Sequence, residues 1–440
     1  MQTVSADLAV VRKDLAGACP ELRAGEAADA IGDFAPAFVA SPGDTAQAAA
    51  LLRAAAGHDL AVVPRGSGSR LGWGIPPSRC DLLVDTLRMD TVIEHAAGDL
   101  VARIQAGARM NHVLGALAAA GQEIALDVPG GATVGGVVAS GLCGPRRLRY
   151  GSPRDLLIGI TIVRADGTVA KSGGKVVKNV AGYDLGKLFA GSAGTLGLIT
   201  EATFRLHPLP AARAFVSATF PLGVGSADVA AAVAAAAGSP LVPSAVELSR
   251  HAPGGPVSVG VLLEGSADGV AARAGRMADL LGGPSAAEVS PEAPGWWPAA
   301  PVVEHDDETL IRVSFWVSAL GGVLDAIDAA ARNAAIAPQV YGSAGAGVLY
   351  LACRGEHAVA GFVSALRGTL TLGQRGRGSV TVLAAPGAVR AALAADRPNG
   401  AGGAGGGMMG AVPSLNLMRA VKDQFDPGHR MAPGRFPEAI

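Results

Sequence analysis

The sequence predicts a mixed chain of helices and strands, α/β or α+β by pattern, divided into two domains. Three observations predict it. At 440 residues the chain exceeds what one core holds, since single cores stop growing at about 250–300 residues. Helical and strand patterns alternate over 38–104, in strands too short and interrupted for a barrel of long parallel strands. Glycine-rich loops set between strands crowd the first half and end near Pro210, where the texture changes.

Taken in order, "SPGDTAQAAALLRAAAGHDL" reads as a helix capped by Asp44 or Thr45. "AVVPRG" is a strand running into a loop, and "DLLVDT" and "VARIQAG" are further strands. Glycine then concentrates in Pro129–Gly151, "PGGATVGGVVASGLCGPRRLRYG". The run "LLIGITIVRADGTVAKSGG" is a β-hairpin turning at Asp166 and Gly167. "GSAGTLGLITEATFRLHPLP" closes this half on a strand and a proline stop. Beyond it, alanine helices alternate with strands such as "PVSVGVLLEG" and "TLIRVSFWVSAL", so residues 211 to about 400 read as a second domain. "RPNGAGGAGGGMMG" is a low-complexity connection, and the amphipathic helix "SLNLMRAVKDQF" leads into "DPGHRMAPGRF".

Composition excludes several classes. With 50% apolar and 17% charged residues the chain is built to fold around a core. A net charge of -1 offers nothing to nucleic acid or anionic lipid. The apolar runs are broken by Gly, Pro or charge, and no secretory signal opens the chain, so no membrane span is expected. Cys19, Cys80, Cys143 and Cys353 lie far apart and read as reduced thiols of a cytoplasmic protein. The histidines show no ligand spacing, so no metal site is expected.

The loop "PRGSGS" at Pro64–Ser69 raises the question of a phosphate. A Walker loop needs a lysine that is absent here. The dinucleotide fingerprint needs a helix after its glycines, and the prolines of "WGIPPSRC" forbid one. What remains is a nest of backbone N–H groups from Arg65 to Ser69, open to a pyrophosphate. A turn after a buried strand would look the same alone. The second loop, with Thr133 and Ser140 as hydroxyl partners, and the third, "GSAGTLGLIT", make three such stretches in one domain.

Together "PRGSGS", "PGGATVGGVVASGLCGPRRLRYG" and "GSAGTLGLIT" resemble the motifs of the vanillyl-alcohol oxidase and p-cresol methylhydroxylase superfamily of flavoproteins, over about residues 36–210. "GGKVVKNVAGYDLGKLFAGSAGTLG" is similar to the 2-hydroxy-acid group within it, nearest to the smaller FAD-binding subunit of bacterial three-subunit glycolate oxidase. "LIRVSFW" and "FDPGHRMAPGRF" fit that group too, although Ala432 stands where asparagine is usual. The resemblance implies an α+β fold: a two-part FAD-binding PCMH-type domain (30–210), an α+β cap or substrate domain (211–410), and a C-terminal helix and tail (411–440) returning to the flavin domain. It implies that Pro64, Arg65, Gly66, Ser67, Gly68 and Ser69 receive the pyrophosphate of FAD. Pro129, Gly130, Ala132, Thr133, Gly135, Gly136, Ser140, Gly141, Gly144, Tyr150 and Gly151 would line the cofactor, with Leu198 and Ile199 beside it by backbone contact. Covalent relatives often carry a histidine in the first loop; Ser69 stands there, so FAD is expected to be noncovalent.

Oxidising a 2-hydroxy acid such as glycolate or D-lactate requires a cation for the carboxylate. Lys178, Arg312 and Arg435 are the candidates, with Tyr183 hydrogen-bonding substrate or flavin. Plainer roles compete: a structural ion pair for Arg312, a surface site for Lys178, core filling for Tyr183, and carbonyl binding for Arg435. The histidine cluster carried by many related dehydrogenases is missing. The alternative is therefore an FAD subunit that relays electrons or serves as scaffold while a paralogous flavoprotein oxidises and an iron–sulfur subunit accepts, the complex meeting a membrane only through those partners. An NADPH-linked reductase of cell-wall precursors is disfavoured by "KNVAGYDL" and the "FDP…PGR" tail.

Overall fold

The computed structural model describes residues 4–174, 183–282, 286–298, 300–371, 378–395, 407–410 and 412–435. The fold is α+β. The chain divides into two compact units, one of Met1–Leu142, Ser152–Leu209 and Ser414–Ile440, the other of Cys143–Gly151 and Pro210–Pro413. The division thus differs from a single break near 210: the segment Cys143–Gly151, inside the second glycine loop, belongs to the second unit.

In the first unit, β1 (Leu22–Ala24), β2 (Phe38–Ala40), β3 (Val62–Arg65) and β4 (Leu82–Asp85) form a sheet in the order β1-β2-β4-β3. β2, β4 and β3 run parallel and are apolar on both faces, as a parallel sheet covered on both sides requires. Leu51 and Leu52 of the helix Thr45–Gly57 pack with Val62, Leu82 and Val84 on one face. Val39, Val63 and Leu83 pack with Ile31 and Ala432 on the other. Asp44 is the helix cap, its carboxylate accepting from Gln47 N at 2.8 Å, while the Thr45 hydroxyl donates to that of Thr200.

The second sheet of this unit is antiparallel. It consists of β5 (Val92–Ala96), β6 (Val101–Gln105), β8 (Leu157–Val163), β9 (Val169–Gly173) and β10 (Leu198–Arg205) in the order β5-β6-β10-β8-β9. The short β7 (Gln122–Glu123) pairs with β11 (His207–Pro208) apart from it. The β8–β9 hairpin turns at Asp166 and Gly167 as its sequence predicts, with the Asp166 carboxylate accepting from Thr168 N. Gly167 has a φ of +80°, and a Cβ there would stand 2.6 Å from the Ala49 carbonyl oxygen. Glycine is needed at this turn both for its conformation and for its approach to the helix.

The second unit is built on an antiparallel sheet of β12 (Ala212–Phe220), β13 (Ala245–Arg250), β14 (Val257–Gly265), β15 (Glu288–Ser290), β16 (Glu308–Phe315), β17 (Gln339–Gly342), β18 (Val348–Arg354) and β19 (Gly378–Ala384). Its order is β15-β12-β14-β13-β17-β18-β16-β19. The helices Ser226–Ala237, Ala267–Leu281, Leu320–Ala334 and Glu356–Thr371 bury Val233, Met277, Ile327 and Phe362 in its core. No helix among the described residues is long and apolar enough to cross a membrane.

The C-terminal helix Leu415–Phe425 and the tail belong to the first unit. Lys422 is 1% exposed. Its ammonium donates to Asp426 Oδ2 at 2.6 Å, to the Thr195 carbonyl at 2.7 Å and to the Met431 carbonyl at 3.0 Å. Asp426 in turn accepts from Met431 N at 2.7 Å. The tail then runs parallel to β3: Val62 N donates to the Arg430 carbonyl and Ala432 N to the Val62 carbonyl. Ala432 has a φ of +41°, a region that asparagine tolerates better than alanine, which gives the asparagine usual in such tails its physical sense.

Removing one member of a buried ion pair leaves the other charged and unpaired. Lys422→Met is therefore expected to lower stability by about 3–5 kcal/mol, read from the midpoint of urea unfolding; an unchanged midpoint would refute the role given to the pair.

Candidate functional site

The structure brings the three glycine loops together. A Cβ on Gly66 in the first loop would collide with the Thr133 hydroxyl of the second. A Cβ on Gly194 of the third would stand 3.3 Å from Pro64 of the first. The second and third are tied by Gly191 N donating to the Val138 carbonyl at 2.9 Å and Ala193 N to the Ala139 carbonyl at 2.8 Å. One site is thus assembled from three segments of the first unit.

Within it the groups divide by what they already hold. Arg65 does not present its guanidinium to a ligand: it donates to Asp29 at 2.9 Å and to Asp85 at 3.0 Å. Asp29 also takes two bonds from Arg23. The Arg23 guanidinium first, then the Glu26 N–H and Arg65, hold the buried Asp29 carboxyl well below the usual carboxylate range against the opposing effect of burial. Both hydroxyls that the sequence offers to a ligand are used inside the protein. Thr133 caps the helix Val134–Ser140 by accepting from Gly136 N, and Ser140 donates back to the Gly136 carbonyl at 2.7 Å. Gly130 and Gly135 are glycines because Asn111 and Ala106 crowd them, a Cβ on Gly135 falling 2.8 Å from that of Ala106.

Other groups are open. The N–H groups of Gly66, Ser67, Gly68 and Ser69 take no backbone partner among the described residues. Gly68 has a φ of +77° and only the Arg65 side chain within 4 Å of a Cβ. Gly191 has a φ of +83° and nothing within that distance. The Ser192 hydroxyl, on a residue 2% exposed, has no hydrogen-bond partner in the first unit or elsewhere among the described residues. Sequence reasoning passed over Ser192 although it stands inside the quoted third loop. Free N–H groups, an orphaned buried hydroxyl and glycines facing open space are what a phosphate-bearing cofactor with a flat ring requires. Leu198 and Ile199 put their side chains into the core, and the ladder from β10 to β6 begins only at Glu201, so a contact from these two would be through backbone.

Residues 36–173 match the FAD binding domain family. The chain is 36% identical over 177 residues to glycolate oxidase subunit GlcD of Bacillus subtilis (strain 168), a match taking in 40% of this chain and 38% of that one. It is 38% identical over 154 residues to glycolate oxidase subunit GlcE of Escherichia coli (strain K12), covering 34% and 43%. The chain therefore spans less than half the length of these relatives. A crystal structure of p-cresol methylhydroxylase with substrate bound superposes with a TM-score of 0.74 at 13% identity, over 99% of this chain and 97% of that one. The chain carries an FAD binding domain in the p-cresol methylhydroxylase fold.

The remaining residues that the sequence associates with this FAD-binding protein are scattered. Gly144, Tyr150 and Gly151 fall in the second unit, where the Tyr150 hydroxyl donates to Glu264 at 3.1 Å. Arg435 has a different task from the substrate contact expected of it. Its guanidinium donates to the carbonyls of Leu71 and Trp73 and clamps the end of the first loop. Burial lowers its pKa to about 10. Tyr183 is 90% exposed, and Lys178 lies outside the described residues. Arg312 lies in β16 of the second unit, opposite Tyr350 of β18 and Thr381 of β19. Its Nε is buried without a partner, and burial lowers its pKa, opposed by Tyr350. All four cysteines are buried thiols outside any disulfide, Cys80 and Cys353 being pushed up to about 12 by desolvation. No group of three His, Cys, Asp or Glu residues that could hold a metal ion occurs among the described residues.

Two outcomes follow. Gly66→Ala should weaken FAD binding about tenfold or more, since Thr133 must move; a fluorescence titration with FAD showing unchanged affinity would remove Gly66 from the site. The lowered pKa of Asp29 means stability that is present above the ordinary carboxylate value and lost progressively as pH falls from there toward the lowered one. Unfolding midpoints should fall below about pH 4, and Asp29→Asn should flatten that limb.

Proposed function

We propose that the chain is an FAD-dependent oxidoreductase acting on a small 2-hydroxy acid such as glycolate or D-lactate, as the FAD-binding subunit of a glycolate-oxidase-like complex. The convergence of the three loops of the FAD binding domain carries the redox half of this reading. The glycolate oxidase subunits among its relatives and the buried, unpartnered Nε of Arg312 carry the substrate half.

FAD, when bound, supplies the two-electron acceptor for conversion of the hydroxyl carbon to a ketone or aldehyde. The backbone N–H groups of Gly66, Ser67, Gly68 and Ser69 hold its pyrophosphate, Ser192 offers a further hydroxyl, and Ser69 in place of a histidine leaves it noncovalent. Arg312 holds the substrate carboxylate through paired N–H donors, which fixes the acid's orientation. The Tyr350 hydroxyl, beside the arginine and kept protonated by burial, donates a hydrogen bond to the same ligand.

A second reading is favoured by the exposure of Tyr183 and the carbonyl bonds of Arg435, which remove two groups from the catalytic set. In it a paralogous flavoprotein oxidises, an iron–sulfur subunit accepts the electrons, and this chain carries FAD between them.

Anaerobic addition of glycolate or D-lactate to the FAD-loaded chain is expected to bleach the flavin band. In Arg312→Gln the KM for the acid should rise about 10- to 100-fold with FAD content unchanged. Bleaching only after partner subunits are added would support the second reading, and no bleaching under either condition would refute both.

A further inference from the structure

In the antiparallel sheet of the second unit, residues directly opposite one another on neighbouring strands share a face. Register therefore lines up Thr381 of β19, Arg312 of β16, Tyr350 of β18, Tyr341 of β17 and Ser249 of β13 on one face, one residue per strand. Their neighbours along each strand, among them Val313, Leu349, Val340 and Leu248, point to the other face and are 0% exposed. The rings of Tyr341 and Tyr350 stand 5.8 Å apart at 34°. A Cβ on Gly342 would fall 3.2 Å from the Tyr350 ring, whose place the glycine keeps open. The row continues to Ser258 of β14 and Thr219 of β12, whose hydroxyls bond to each other at 3.2 Å. The nearer part has no such pairing. Among the described residues no hydrogen bond engages the side chain of Thr381, Arg312, Tyr350, Tyr341 or Ser249, and the Arg312 Nε is buried. Thr381, Tyr350 and Ser249 are themselves buried.

Buried hydrogen-bonding groups without partners are costly, so a row of them points to an occupant that supplies partners. Arg312 is the cation of the row and takes an anion, while the tyrosines beyond it donate and accept hydrogen bonds and offer ring faces. Strands lie about 4.8 Å apart, so the open row runs about 14 Å from Arg312 to Ser249. An acid of two or three carbons meets only its first members. We propose that this row binds the carbon chain of a polyhydroxylated 2-hydroxy acid, an aldonate of five or six carbons, with its carboxylate on Arg312 and its outer hydroxyls on Tyr350 and Tyr341. The inference rests on the reading of Arg312 as the group that holds the substrate carboxylate, and it extends the acid beyond glycolate and D-lactate. An acid with an aromatic or aliphatic side chain would cover the rings but leave the hydroxyls of the row unpaired, a cost that a polyol chain avoids.

The test is calorimetric titration of the full FAD-loaded chain, its flavin reduced beforehand so that the acids bind without reacting. The probes are glycolate, D-gluconate, D-mannonate as its epimer at C2, and D-3-phenyllactate, in the parent protein, Tyr341→Phe and Arg312→Gln, with the melting temperature recorded for each. At least one aldonate is expected to bind tenfold or more tightly than glycolate. Tyr341→Phe keeps the ring and removes the hydroxyl, and is expected to narrow that ratio about two- to tenfold. Failure of both aldonates to reach that margin, or tighter binding of phenyllactate, with binding lost in Arg312→Gln, would overturn the aldonate class and keep Arg312 as the carboxylate holder. An unchanged ratio in a folded Tyr341→Phe would do the same. Binding indifferent to Arg312→Gln, or no binding of any acid, would overturn the carboxylate reading and this inference together. Should Tyr341→Phe fail to fold, the ratio in the parent protein decides alone.

Discussion

The ammonium group of Lys422 is the constraint on which the candidate cofactor site depends. A lysine removed from water is costly unless each of its protons finds an acceptor. This one finds Asp426, the Thr195 carbonyl and the Met431 carbonyl. Those acceptors belong to the C-terminal helix and its exit, the third glycine loop and the tail, so satisfying one charge fixes three pieces of chain. The tail so fixed bonds to both backbone groups of Val62, immediately before the first loop. Arg435 then holds the carbonyls at that loop's far side. The open N–H groups between are bracketed by residues that come from the opposite end of the sequence.

Within that frame the glycines fall into two physical kinds. Gly66 and Gly135 are small because protein atoms occupy the space a side chain would need. Gly68 and Gly191 have positive φ and open space before them, which is conformation without crowding. Only the second kind leaves a surface bare for a ligand. Sequence alone cannot separate the two, since the neighbour that decides, Thr133 for Gly66 or Ala106 for Gly135, is distant along the chain.

Much of the architecture was legible because it is written locally. Asp44 announced its helix, Asp166 and Gly167 their hairpin, and the loss of glycine loops after Pro210 the start of the second unit's main segment. The loops of the site were legible as motifs, and their approach to one another follows from contacts such as Gly194 with Pro64. What escaped the sequence is partnership. Nothing around Arg65 showed that Asp29 and Asp85 would claim its charge, and nothing around Cys143–Gly151 showed that Glu264 would draw that segment into the second unit. Tyr183, chosen for its motif, is a surface residue.

Partnership also separates the arginines by function. Arg65 is bound by two carboxylates, Arg213 by Glu264, Arg250 by Asp328 at 2.7 Å, and Arg435 by carbonyls. Arg65, Arg250 and Arg435 are buried or half-buried and Arg213 is exposed, and each guanidinium is engaged inside the fold. Arg312 sits in β16, one strand in from the edge of its sheet, where burial lowers its pKa, with a tyrosine opposite it in β18. Its buried Nε has no partner among the described residues, and the carboxylate of the proposed substrate would supply one.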